Sequence, residues 1–299
     1  MSLRDTDVCG NIDCMEREFS VIKCKAFRGG AILSCLVALF SFVTVHAEEA
    51  ERGAKDLVLF RNAAEISLGN IEAVGGISGR LLNDASDGRK VVVATLDAGQ
   101  SIALPGNREH TIELLVLDGE LVWSGQSLRY LDYGYSPYKD GPIVWLGGNH
   151  GATLLLFLDP PRDSDSPFRR IQLNASKAWL PATVALRDAG IALALETKDL
   201  LYHPPSGQRT WLLRVDPDFS IPWEVHTSAE EGFLIAGDFK VGECLLEGAV
   251  VGNYTPGGYF YRPAGRVHSG PSSGSRRGAL WLLRTPSELT VEFWDSCEG

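Results

Sequence analysis

The sequence predicts an all-β protein built from two related β-domains in tandem, and three observations carry that prediction. Short apolar runs bounded by Gly, Asp or Pro recur at 91–96, 112–117, 153–158, 210–215, 233–236, 278–283 and 289–294, without long segments of helical period. Gly and Pro, 32 and 15 of 299 residues, punctuate the chain at short intervals, as in a sandwich or barrel. Finally, the two halves repeat. Residues 114–121 match 232–239, and 145–150 fall on 263–268, each at a separation of 118. Duplication of one β-domain is the economical explanation.

Composition is that of a globular chain, 44% apolar and 22% charged, which excludes disordered, collagen-like and coiled-coil classes. Lys plus Arg is 28 against 38 for Asp plus Glu, a net charge of -10 with no basic cluster. A duplex binder needs a positive stripe to displace counterions from phosphates, so nucleic acid is not an expected partner.

The chain opens with a targeting pattern. Lys23, Lys25 and Arg28 precede an apolar run at 31–45, and His46-Ala47-Glu48-Glu49 follows it. At 15 residues the run is shorter than the ~20 a spanning helix needs. Val45 and Ala47 put small residues where a signal peptidase reads them. A signal peptide over 1–47 and a mature protein from Glu48 are expected, periplasmic or secreted, with no stable membrane insertion after cleavage. A retained anchor is the other reading. Cys9, Cys14, Cys24 and Cys35 would leave with the leader. Cys244 and Cys297 would remain, and an oxidising compartment would let them pair if their separation in space allows it.

Along the mature chain, the polar stretch 159–167 reads as a linker, giving domains at 48–165 and 166–299. Residues 52–75 and 183–196 could hold short helices. The chemistry gathers in the second half. Glu224 and His226 are two apart, so on a strand both leave the same face. Glu230 follows a short turn, and Gly237 ends the next apolar run. Later, 257–268 run through a strand and a Pro/Gly turn to His268. A closed barrel would offer two imidazoles and at least one carboxylate to a single point. That set leaves coordination positions open, as in non-haem iron and catalytic metal sites.

These residues resemble the cupin superfamily. His226, Glu230 and Gly237 have the spacing of its first motif from the second histidine onward. Gly257, Pro263, Gly265 and His268 have that of its second motif, with Ser272 where Asn is usual. The resemblance implies two tandem RmlC-like jelly-roll barrels, a bicupin, with His226, Glu230 and His268 holding one divalent metal ion (Fe, Mn or Zn). Glu224 stands where the family has its first histidine, as a further ligand or as the catalytic base, and Asp218 replaces the leading glycine. Glu231 is the alternative carboxylate if the register slips by one. At the repeat spacing, Gly106, Arg108 and Ile112 fall where Glu224, His226 and Glu230 sit, and only His150 persists opposite His268. The first half therefore reads as a degenerate, scaffolding copy.

The layout is similar to bacterial double cupins of unassigned activity and to the cupin domain of ChrR-like anti-sigma factors. Neither resemblance supplies a substrate; the open three-ligand set favours a metal-dependent enzyme, dioxygenase- or isomerase-like, acting on a small oxygen-rich molecule such as a diketone, a phenolic or a sugar derivative. The alternative is a non-catalytic periplasmic module that binds or senses a small ligand. Tyr259 and Tyr261 alternate toward His268 as candidate substrate-pocket residues, with packing in the core or rim as the other reading. Arg262 and Arg266 would bind a carboxylate or simply be solvated. A homodimer is left open. No GxSxG, P-loop or dinucleotide glycine fingerprint occurs, which disfavours serine hydrolase and nucleotide chemistry.

Overall fold

Each of the seven short apolar runs between 91 and 294 forms or contains a β-strand, and all strand pairs among the described residues are antiparallel. The computed structural model describes residues 57–106, 108–162, 165–181 and 195–298. The leader with its four cysteines, and residues 183–194 of the second expected helix, lie outside those residues. The described part of 52–75 is strand and 3-10 turn rather than α-helix. Among the described residues no helix is long and apolar enough to cross a membrane.

The first barrel is a nine-stranded sheet. In spatial order it runs β10 (Arg170–Gln172), β8 (Tyr133–Ser136), β6 (Thr111–Trp123), β9 (Ile143–Asp159), β4 (Lys90–Leu96), β3 (Ile77–Asp84) and β2 (Gly69–Ile71). Off this path, β5 (Ser101–Leu104) pairs with β9 and β7 (Gln126–Leu128) with β6.

The second barrel has two sheets. One runs β1 (Val58–Asn62), β18 (Gly258–Arg262), β15 (Glu230–Gly237), β20 (Ala279–Thr285), β13 (Gln208–Val215), β12 (Leu195–His203) and β11 (Leu180–Pro181). The other runs β17 (Gly248–Tyr254), β16 (Phe239–Leu245), β19 (His268–Gly274), β14 (Trp223–His226) and β21 (Val291–Trp294). Two short strands cross the expected boundary at 165/166: β1 pairs with β18 of the second barrel, and β10 with β8 of the first.

Three apolar clusters follow from strand alternation. Ile112, Leu114, Leu154 and Leu156 fill the first barrel, while their neighbours Leu115, Leu155 and Phe157 point out of it. Those outward side chains meet Leu212, Phe233 and Leu282 of the second barrel. Trp211, Leu234, Phe260 and Trp281 fill the second barrel's interior. Because β6 is covered on both faces, it reads as a continuous apolar run rather than an alternating one. Each such Leu or Phe, fully buried, contributes about 1.5–3 kcal/mol.

The contact between the barrels also encloses charge. Arg284 donates to Glu113 Oε1 (2.8 Å), Asp159 and Glu231. Tyr133 and Thr210 complete Glu113, each donating at 2.6 Å. All four groups are buried, so deleting one would leave the charge of the others uncompensated.

The duplication is real at one of its two expected matches. Gly119 and Gly237, 118 residues apart, both have positive φ (74° and 88°). At either, a Cβ would meet a carbonyl oxygen across the ladder, that of Gly151 at 2.2 Å or of Gly278 at 1.9 Å. Their strand partners are Ala152 and Ala279, which are 127 apart. Extra residues in the second copy therefore precede its last strand, and the spacing of 118 no longer holds there. His150 is thus not the counterpart of His268. It lies exposed on β9, whereas Ile143 faces β5 as His268, on β19, faces β14.

Candidate metal centre

Three strand registers assemble the centre. On β14, Trp223 and Val225 are partly exposed while Glu224 and His226 are buried, so the two polar side chains share the inner face. Glu224 lies opposite His268 on β19, and His268 opposite Glu243 on β16, giving a row of three across the smaller sheet. In the facing sheet Glu230 lies opposite Arg262. Directly opposite residues project to the same face, so both rows look into the barrel. The turn before His268 is tied to the first strand, for Gly265 N–H donates to the His226 carbonyl at 2.8 Å, and Gly265 takes φ 77°.

Glu224, His226 and His268 are buried, and one ligand atom from each lies within 4.8 Å of the others. His226 Nε2 is 3.7 Å from Glu224 Oε2, and His268 Nε2 is 3.5 Å from Glu224 Oε1. Glu230 adds a fourth group: its Oε2 lies 3.6 Å from His226 Nδ1 and 3.8 Å from His268 Nε2. The imidazole rings meet edge to face, centroids 4.7 Å apart. Ser269 Oγ donates to Glu224 Oε1 at 2.7 Å.

This donor set fits a cation. His268 Nδ1 lies 3.0 Å from the Arg266 carbonyl, which must accept its N–H. The Nε2 lone pair is then turned toward two carboxylates too far away to hydrogen-bond. Such outer-shell anchoring of one ring nitrogen is the usual companion of metal ligation by the other. His226 Nδ1 is buried without a hydrogen-bond partner. Donors about 2.1 Å from one ion sit roughly 3.0–3.5 Å apart, so the observed spacings need only a small contraction. Two nitrogens with carboxylate oxygens suit Fe, Mn or Zn better than Mg or Ca.

The electrostatics follow from burial and these contacts. Burial and the Arg262 charge push the His268 imidazole down to about 3, so it is neutral. Burial alone would lower His226, but the Glu230 and Glu224 carboxylates outweigh it and raise this imidazole. Burial alone would raise Glu224. The two imidazoles and the Ser269 hydroxyl overcome it and hold this carboxyl below its ordinary range. Burial does raise Glu230, despite His226 and Arg262.

Sequence reasoning missed the group that braces the centre. Arg262, assigned above to substrate binding or solvation, is only 4% exposed. Its Nε donates to both Glu243 oxygens (2.8 and 3.0 Å), its Nη2 also donates to Glu243, and its Nη1 lies 3.5 Å from Glu230 Oε2. The available signal was alternation on β18, which places Arg262 with Phe260 on one face. Arg266 is half-buried in the turn.

Tyr259 and Tyr261 occupy the other face of β18, away from the centre. Tyr259 OH donates to Glu231 Oε2 at 2.8 Å and accepts from Asn83 at 3.1 Å, inside the contact between the barrels. Tyr261 lines a cleft there, with the Arg89 guanidinium 4.1 Å from its ring centroid. Glu231 faces the same way. The cavity beside the centre is instead walled by Phe260, Arg262 and Trp281, with Glu224, Glu230 and His268 at one end.

At the corresponding place in the first barrel, Ile112 stands for Glu230 and Ser136 for Arg262. Arg108, aligned with His226, donates to Ser136 Oγ (2.7 Å) and to the Pro137 carbonyl (2.6 Å) and braces a loop.

No protein-family profile and no curated protein matches the chain. Solved structures do. A candidate dioxygenase from Nostoc punctiforme superposes with a TM-score of 0.61 at 20% identity, over 79% of this chain and 86% of that one. The formate complex of Lactobacillus farciminis oxalate decarboxylase gives 0.54 at 13% identity, over 79% and 88%. A variant of Bacillus subtilis oxalate decarboxylase gives 0.54 at 14%, over 79% of each chain. The fold is that of a double cupin, the arrangement the two sequence motifs imply.

Proposed function

We propose that this chain is an exported, metal-dependent bicupin enzyme whose single centre lies in the second barrel and acts on a small oxygen-bearing molecule. The observation that carries the reading is the convergence of Glu224, His226 and His268, with one imidazole oriented by a backbone carbonyl. The likeness to a candidate dioxygenase and to oxalate decarboxylases supports redox or proton-transfer chemistry on this scaffold, dioxygenase- or isomerase-like. A disulfide joins Cys244 and Cys297, their Cα atoms 5.6 Å apart, and supports an oxidising compartment after removal of the 1–47 leader.

His226 and His268 would hold the ion together with Glu224 through His226 Nε2, or with Glu230 through His226 Nδ1. When bound, the ion supplies Lewis-acid polarisation of a substrate oxygen and, if it is iron, access to dioxygen. The rest belongs to the chain. The Glu224 carboxylate, kept ionised beside the cavity, is placed to accept a proton from bound substrate through Oε1 or Oε2. Ser269 orients it. Arg262 neutralises Glu230, and the apolar walls exclude water, so charges at this end interact strongly.

The fourth group favours a second reading. Glu230, 3.8 Å from His268 Nε2, would close the coordination shell if the His226 ring turned one nitrogen toward both carboxylates, and a closed shell would suit a non-catalytic ligand-binding module. Elemental analysis of protein purified without added metal tests both. About one equivalent of Fe, Mn or Zn is expected, falling at least tenfold in His226→Ala; undiminished metal there would refute the ligand assignment. Glu224→Gln that keeps metal but loses turnover makes Glu224 the base. Equal loss makes it a ligand. Water proton relaxation of the manganese-loaded protein then separates an open site, with exchangeable water, from a closed one.

A further inference from the structure

One space adjoins the candidate centre and a second shares part of its lining, and their chemistry differs. The inner cavity, about 100 Å³, ends on Glu224, His268 and Ser269 and is otherwise walled mainly by aliphatic and aromatic side chains. Its one guanidinium, Arg262, is already saturated by Glu243 and Glu230. An apolar cavity of about 150 Å³ accommodates benzene, so this one takes a compact apolar group no larger than a small ring. A small dianion such as oxalate would find no free cation here besides the metal, and burying its charge unpaired is costly.

The outer cleft, about 560 Å³, is lined in part by charged and polar side chains, among them Asp218, Asp238, Lys240, Arg276 and Arg277. Phe219, Phe239 and Tyr254 line both spaces and form the neck between them. Lys240 lies opposite Gly274 in the ladder, two residues before Arg276, so both cations reach one rim. Arg277 is paired with Asp238 at 3.1 Å, whereas the Lys240 and Arg276 side chains have no carboxylate partner among the described residues. Asp218 is the one acid of the cleft left to offset them.

We propose that the substrate is a monoanion with a compact apolar body. The body, bearing one neutral oxygen for the ion, enters the inner cavity, and the carboxylate, or a comparable single negative charge, stays in the outer cleft between Lys240 and Arg276. This rests on the metal-site reading above, for it is that reading which makes the inner cavity a substrate site. It separates the chain from the oxalate decarboxylases whose fold it shares.

Isothermal titration of the purified protein with 4-methylpentanoate, 4-methylpentan-1-ol and oxalate tests it. The acid should bind at least tenfold more tightly than the alcohol, and oxalate should bind more weakly than the acid. Lys240→Gln with Arg276→Gln, both exposed positions, should bring the acid down to the level of the alcohol and leave the alcohol unchanged. Oxalate binding more tightly than the acid, equal binding of acid and alcohol, no binding of either, or a preference that survives the double substitution would each overturn the inference. Elemental analysis of the same samples keeps the two readings apart. Metal present without preference for the acid refutes the ligand class alone; preference for the acid without metal refutes the metal centre alone.

Discussion

Removing the Glu243 carboxylate should destabilise the second barrel more than any surface change, and the size can be worked from the contacts. Glu243 and Arg262 are 2% and 4% exposed, and three guanidinium contacts join them. Deleting one partner of a buried ion pair leaves an uncompensated charge and costs about 3–5 kcal/mol. At about 2–4 °C per kcal/mol for a chain of this size, Glu243→Ala should lower Tm by about 6–20 °C. Glu243→Gln, which keeps two acceptor directions but no charge, should fall between. Scanning calorimetry reads both. Arg262 would then turn wholly to Glu230, so metal affinity should drop if Glu230 is a ligand and hold if Glu224 takes that place. The double variant Arg262→Leu with Glu243→Leu should recover part of the loss, because no charge of the pair remains and Glu230, already raised by burial, can take up a proton. A fall below about 2 °C in Glu243→Ala, or a double variant as unstable as both single changes added, would refute the reasoning.

Arg284→Met should cost a similar 3–5 kcal/mol by stranding Glu113, Asp159 and Glu231. Burial already holds Glu231 above its ordinary value, and stranding raises its carboxyl further, so the variant's Tm should climb as pH falls from neutral toward 5. Reducing the Cys244–Cys297 bridge, which spans 53 positions, should lower stability by up to about 4 kcal/mol on loop entropy, read as a shift in urea midpoint with and without reductant. In metal-free protein, His268 has its imidazole pushed down to about 3, against ~6.5 when unfolded. Between those values the unfolded chain binds the extra proton. This contribution is therefore complete above about pH 6.5 and is lost as pH falls, at up to about 1.4 kcal/mol per unit. His268→Gln should flatten that acid limb in a series of urea midpoints; an unchanged slope would count against a neutral buried imidazole.

Residues whose neighbours are close in sequence were legible. Glu224 and His226 are bound to one face by strand alternation, and Gly237 is required where a Cβ would strike the Gly278 carbonyl. Features set by pairing between distant strands were not. Which face of β18 looks inward depends on Glu230 standing opposite Arg262, and nothing local on that strand says so. Tyr259 and Tyr261 consequently stayed open between pocket and packing roles, and Arg262 between substrate binding and solvation, its partner Glu243 lying on a strand of the other sheet. The match of His150 with His268 failed for a different reason. Extra residues in the second copy shift the spacing from 118 at the turn glycines to 127 at their partners, which a constant separation hides.

The exchange of short strands across the middle of the chain bears on how the protein can be divided. β1 completes a sheet edge whose partner, Tyr259, is synthesised almost two hundred residues later, and β10 returns to the half it has just left. A fragment cut at the linker would carry one strand without its neighbour and expose an edge ready to pair with another chain. Separate expression of the halves should therefore yield aggregates, and proteolytic nicking near the linker should leave both pieces associated.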